Sequence, residues 1–318
     1  MSDIPSVDPL VPCVSIVVPV LNKADTIGPL LDSLLAQDYP KERYEIIVVD
    51  NGSSDGTPHL LKRYPVRLVE EAQRRSSYAA RNRSIEISRG ALIAFIDSDC
   101  PAAPGWLRAL VAPWAAPVYG AFAGRIVAYQ PRTPVERFQV HKRAVDNWIA
   151  LQDPYLPYVT TANVAYRRRV FERVGLFNPG LRSGGDCDLA WRMQKQTAYQ
   201  IAFQFQALVY HRHRKTVWEP YRQYESYGKG VAHLELLHPH LYDRHPHRPG
   251  SPTWRRILQF VKRVVLGEHP TWMRAKARLD AIALSCLEGV AKIAFDRGIR
   301  TGRRDRSRTL TIDPSPDQ

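Results

Sequence analysis

The chain has 318 residues, 44% hydrophobic and 24% charged, the composition of a globular protein able to bury a core in one large or two small domains. No apolar run nears the ~20 residues of a membrane span, Met1–Cys13 lacks the pattern of a secretory signal, and the four scattered cysteines form no CxxC pair, which argues against a disulfide scaffold and fits a reducing compartment. Lys and Arg outnumber Asp and Glu by 45 to 31, and residues 251–308 alone hold 14 bases against 5 acids, a field that draws phosphates, anionic lipid or nucleic acid without choosing among them.

The first third alternates strand and helix signals. Val14 to Val20 is β-branched and apolar and predicts a strand, with prolines at 12 and 19. Ile27, Leu30, Leu31, Leu34 and Leu35 follow at helical spacing, with Asp25 or Thr26 as N-cap. Glu45 to Val49 predicts a second strand, buried on both faces. Asn51 to Gly56 is turn chemistry, leading to a short helix and a strand at Val66 to Val69. A helix over Ala79–Ser88 then feeds the apolar strand Ala91–Ile96. This alternation predicts an α/β protein with right-handed crossovers and a mostly parallel sheet.

The middle is less regular. Val159–Tyr166 and Ile201–His213 read as strands, Arg168–Val174 and Cys187–Gln196 as helices. Residues 238–252, rich in His and Pro, read as a linker. Two amphipathic helices are expected beyond it, one over Trp254–Val265 and one over Leu279–Ala294. Their apolar faces can pack on the protein, or their basic faces can lie on an anionic membrane. The tail after Thr301 is expected to be disordered.

The residues that carry chemistry stand at strand ends. Asp50 ends the second strand, and Asp97-Ser98-Asp99 directly follows the strand Ala91–Ile96. Ligands of open α/β sheets bind outside the carboxyl ends of strands, so these acids are expected around one crevice. A DxD spacing there can hold a hard divalent cation with phosphate oxygens; alternatively its aspartates cap a turn. His211 and His213 end the last predicted strand, where a period of two puts both on one face.

Four segments, in this order and spacing, resemble the family 2 glycosyltransferases: VSIVVPVLN at 14–22, IIVVDNGSSDGT at 46–57, ARN at 80–82 and AFIDSD at 94–99. Trp106-Leu107 also fits, and GGDCDLAWR at 184–192 is similar to the family's acidic catalytic motif, with Gly185 where Glu is usual. The resemblance covers about residues 14–230. It implies a GT-A fold, Rossmann-like, with a C-terminal helical extension, and transfer of a sugar from a nucleotide donor with inversion. UDP is the usual donor nucleotide, with GDP and dTDP open. The acceptor implied is a glycan or lipid-linked hydroxyl, in a bacterial cytoplasm or at the inner face of its membrane.

By the same resemblance, residues 1–12 are a tail, 13–115 a nucleotide-sugar half, 116–235 an acceptor and catalytic half, and 236–318 the extension. The backbone of Pro19, Val20 and Asn22 would line the nucleoside pocket. Asp50 would accept from the nucleoside, Asp97 would lie near the ribose, and Ser98 would be a further nucleotide-sugar contact. Asp99 would bind Mg²⁺ or Mn²⁺, with His211 as a further ligand or diphosphate contact. Arg81 is either a donor-side contact or a surface Arg paired with Glu86 or another nearby acid. Asp186 is the expected catalytic base, since inverting transfer needs a carboxylate to take the acceptor's proton; Asp188 is the alternative. A sugar-nucleotide nucleotidyltransferase is disfavoured because PVLNK, not a Gly-rich basic loop, follows the first strand. A non-catalytic basic module is the third reading; nucleic acid is not the expected partner.

Overall fold

The computed structural model describes residues 11–71, 76–142, 145–152, 156–239 and 272–309. They form two compact units, Met1–Tyr129 with Val145–Arg212, and Gln130–Ala144 with His213–Gln318.

The first unit is built on a sheet of seven described strands: β1 Val14–Val20, β2 Tyr44–Asp50, β3 Arg67–Glu70, β4 Leu92–Ile96, β5 Tyr119–Ala128, β6 Asn163–Arg167 and β7 Gln200–His211. Their order is β3-β2-β1-β4-β6-β5-β7, and β6 runs antiparallel to both its neighbours while the other pairings are parallel. The α/β expectation is met. Apolar runs are continuous because both faces of the central strands are covered. Val14, Ile16, Val18 and Val20 pack on one side with α1 (Ile27–Leu35) and α4 (Trp106–Val111). Val17, Ile93 and Phe95 pack on the other with α7 (Arg168–Val174) and α8 (Gly185–Gln196). Short α2 (Thr57–Leu61), α3 (Ser77–Ile87) and α6 (Asn147–Ala150) complete the unit.

Strand β5 carries no clear signal in the sequence, because Gly120, Ala121, Ala123 and Gly124 lack the branched side chains that mark strands. Their smallness has a packing cause. A Cβ on Gly124 would lie 2.3 Å from the carbonyl oxygen of Ala207 and 2.4 Å from Nδ2 of Asn163. The β5–β7 register shifts between Gly124 and Arg125. There the fully buried Asn163 donates from Nδ2 to the carbonyls of Arg125 and Ala207 at 2.9 and 2.8 Å, while its Oδ1 accepts from the Trp106 indole at 2.8 Å. Backbone groups left by the slipped ladder are thereby satisfied. Gly124→Ala is expected to destabilise the fold by about 1–3 kcal/mol, the usual cost of overpacking, read as a lower midpoint in urea unfolding.

Strand β6 begins at Asn163 rather than Val159, and β7 ends at His211, so the period-two argument does not extend to His213.

The second unit contains α5 (Pro134–Lys142), α9 (Trp218–Leu237) and α10 (Trp272–Thr309). The backbones of α9 and α10 touch. A Cβ on Gly228 would sit 2.1 Å from the Phe295 carbonyl, and one on Gly298 2.0 Å from that of Glu225. Val135, Phe138, Leu287 and Ala291 bury together beside this contact. The helix predicted over Leu279–Ala294 is thus part of α10. That helix continues to Thr309 where disorder was expected, since Gly302 packs against Ala232 and Arg303 pairs with Glu235 at 2.9 Å. Tertiary contact overrides a polar composition there. The predicted helix Trp254–Val265 and most of the His-rich linker lie outside the described residues. Among those described, no helix is long and apolar enough to cross a membrane.

Candidate active site

Two loops at the carboxyl ends of β1 and β2 hold each other. Val20 pairs with Asp50 across the strands, and Pro19 with Val49. Asn22 then adopts a left-handed φ of 51°, which Asn tolerates better than most residues. Its N–H donates to Ser53 Oγ and its Oδ1 accepts from Ser54 N–H, both at 2.8 Å. Lys23 N–H donates to Thr57 Oγ1 at 2.8 Å, and Ala24 N–H to Asp55 Oδ2 at 3.2 Å. Asp50, 6% exposed, accepts from Ser53 N–H at 2.9 Å. Hydrogen bonds from Thr57 hold the Asp55 carboxyl below its ordinary range.

The DxD segment lies against the end of β7. Three backbone bonds join the two segments: Ala103 N–H to Leu208, Tyr210 N–H to Pro101 and Arg212 N–H to Asp99, at 2.9, 2.9 and 3.0 Å. They bring His211 Nε2 to 3.8 Å from Asp99 Oδ1. Lys23 Nζ donates to the other carboxylate oxygen at 2.8 Å. Cys100 is fully buried beside them, and ligating atoms of Asp99, Cys100 and His211 lie within 4.8 Å of one another. Burial, with Asp99 and Asp97 nearby, pushes the Cys100 thiol well above its ordinary pKa, which disfavours the thiolate that metal ligation requires. Carboxylate and imidazole remain, a donor set that suits Mn²⁺ or Mg²⁺ through oxygen and admits Mn²⁺ through nitrogen.

Arg81 is not a surface residue. It is 4% exposed and donates to Asp97 Oδ1 at 2.8 Å, while Arg83 is the partner of Glu86 at 3.2 Å. Ser98 is buried between the two aspartates.

Helix α8 starts two residues before the predicted Cys187, after Gly184 at a φ of 82°, and so takes Asp186 into its first turn. Burial raises the Asp186 carboxyl above the ordinary range; Arg81 opposes this and Asp97 adds to it, so Asp186 and the DxD segment feel each other's charge. The Tyr78 hydroxyl stands 3.4 Å from Asp186 Oδ1 and accepts from Gly185 N–H at 2.9 Å. A Cβ at position 185 would lie 2.7 Å from the Tyr78 ring. The ring leaves no room for a side chain at this position, where the resemblance places Glu.

Asp188 has another duty. It is 4% exposed, and Arg192 donates to its Oδ2 from Nε and Nη2 at 3.0 and 2.9 Å. The same guanidinium caps α7 by donating to the carbonyls of Val174 and Leu176. The pair is absent from the expectations drawn on sequence, although its spacing of four on a predicted helix is a signal that can reveal it.

Residues 15–175, about half the chain, match glycosyl transferase family 2. Glycosyltransferase AglE of Haloferax volcanii is 32% identical over 244 residues, covering 71% of this chain and 75% of its own. The chain belongs to glycosyl transferase family 2. Among solved structures, this glycosyltransferase resembles the mannosyltransferase PcManGT of Pyrobaculum calidifontis, in complex with GDP-Man and Mn²⁺. The TM-score is 0.55 at 21% identity, over 96% of this chain and 77% of that one. S. aureus TarS 1–349 in complex with UDP gives 0.51 at 17% identity, over 96% and 94%. The family 2 enzyme therefore has the GT-A fold.

Proposed function

We propose that this glycosyltransferase moves a sugar from a nucleoside diphosphate donor, UDP-linked in the first instance, to a glycan or lipid-linked hydroxyl, with inversion and with Asp186 as general base. The observation that carries this reading is the grouping of Asp186, Arg81 and the Asp97–Asp99 segment at the carboxyl ends of the central strands. Residues 13–115 would then serve the nucleotide and 116–235 the acceptor.

In this reading the Pro19–Asn22 backbone lines the nucleoside pocket. One Asp50 oxygen holds the Ser53 turn, and the second has lone pairs for the nucleoside. Asp97 lies toward the ribose and fixes Arg81, whose buried guanidinium faces the donor side. Asp99 and His211 would hold the cation, and their pairing 3.8 Å apart fits one ion between carboxylate and imidazole. PcManGT carries Mn²⁺, which favours a divalent ion here. Bound there, such an ion supplies Lewis-acid stabilisation of the departing diphosphate. Lys23, at the same carboxylate, adds a compact positive charge.

Asp186 takes the acceptor's proton as its oxygen attacks. Its raised pKa brings it nearer the working pH, which strengthens a general base. The basic extension packs Leu287 and Ala291 within its own unit, so any contact of 253–308 with anionic lipid is proposed as electrostatic and lost in high salt. A panel of nucleotide sugars, assayed for nucleoside diphosphate release with and without a chelator, tests the reading. No release from any donor would overturn it.

A further inference from the structure

Tyr78 stands in the first turn of α3, 5% exposed, with its ring stacked on Phe177 at 5.6 Å between centroids. The ring fills the space where residue 185 would carry a Cβ, so ring and glycine fit only as a pair. Its hydroxyl has one proton and two acceptor lone pairs. The Gly185 N–H takes a lone pair at 2.9 Å, which leaves the proton directed to Asp186 Oδ1 at 3.4 Å. That distance exceeds an ordinary O–H···O bond, and catalytic hydrogen bonds are often long before the reacting complex forms.

We propose that Tyr78 is a positioning residue for the base, donating its phenolic proton to Asp186 and so fixing which carboxylate oxygen faces the acceptor. The proposal rests on Asp186 as the general base. Burial and the nearby Asp186 push the phenol well above its ordinary pKa, so it keeps its proton while the carboxylate is ionised. The other groups acting on Asp186 are the Cys187 N–H at 3.2 Å, Arg81, which favours its charge, and Asp97, which opposes it. Tyr166 lies within electrostatic reach as well, a buried phenol whose ionisation Asp186 discourages. Tyr78 is thus the side-chain donor, among the described bonds, aimed at the base from a different helix.

Tyr78→Phe keeps the ring, its stack on Phe177 and its packing on Gly185, and removes the hydroxyl with its bonds to Gly185 N–H and Asp186. Losing a hydrogen bond to a charged group predicts a fall in kcat of roughly 10- to 100-fold. Donor KM and nucleoside diphosphate affinity should stay unchanged. The acid limb of the kcat–pH profile should move to higher pH, because the ionised carboxylate loses a donor. A thermal unfolding midpoint on the same protein reports its folding. Unchanged kcat and an unmoved limb, with Asp186→Asn inactive, would overturn the positioning role and leave the base in place. A fall in kcat matched by lost donor affinity, with the acid limb unmoved, would mark Tyr78 as a structural prop and overturn it too. Wild-type turnover in Asp186→Asn would instead remove the base on which the proposal rests.

Discussion

Asp186→Asn is expected to lower turnover about 10²–10⁴-fold, the usual contribution of general base catalysis, with little change in donor affinity. The amide keeps the shape of the carboxylate and can still accept the Tyr78 hydrogen bond, but cannot take the acceptor's proton. Wild-type kcat should show an acid limb above the ordinary carboxylate range, because burial raises this group. Below that pKa the base is protonated and idle; above it activity is complete. Asp188→Asn should behave differently. It weakens the buried pair with Arg192 and the strap from Arg192 to the end of α7. The expected loss is in unfolding temperature, with kcat per folded molecule nearly retained. An inactive but well-folded Asp188→Asn, beside a nearly normal Asp186→Asn, would move the base to Asp188.

Asp99→Ala is expected to reduce kcat/KM on the order of 10²-fold through loss of electrostatic stabilisation of the leaving group. Excess chelator should do the same to the unaltered enzyme. The substitution removes the carboxylate that meets both His211 and Lys23. Mn²⁺ binding, followed by electron paramagnetic resonance with nucleoside diphosphate present, should weaken in parallel. Full activity in chelator, with Asp99→Ala still impaired, would leave Asp99 as the holder of Lys23 rather than of a cation.

Strand ends were the legible part of this site. Asp50 and Asp97 follow runs so uniformly apolar that only burial on both faces explains them, and the turn of the chain then has one place to go. Lys23, Cys100 and Tyr78 were not singled out. Tyr78 meets Asp186 across 108 residues, and no periodicity links positions so far apart. Cys100 adjoins the DxD, but its place beside His211 depends on the three backbone bonds from 99–103 to the end of β7. In the fold, β5 escaped notice because close approach of β7 demanded glycine and alanine, which carry little strand signal. The length of α10 escaped for a related reason, its polar last turns being held by α9.

The reciprocal bonding of residues 22–24 with 53–57 bears on the thermodynamics of donor capture. Asn22, Lys23 and Ala24 each engage the opposite loop, and Asp55 braces that loop again through Thr57 N–H at 2.9 Å. In the proposed nucleoside pocket, a wall assembled in this way has little conformational freedom left to lose when a nucleoside arrives. Loosening it, as by Asp55→Ala, should appear in calorimetry as a larger entropic penalty on nucleoside diphosphate binding, with the chemical step untouched.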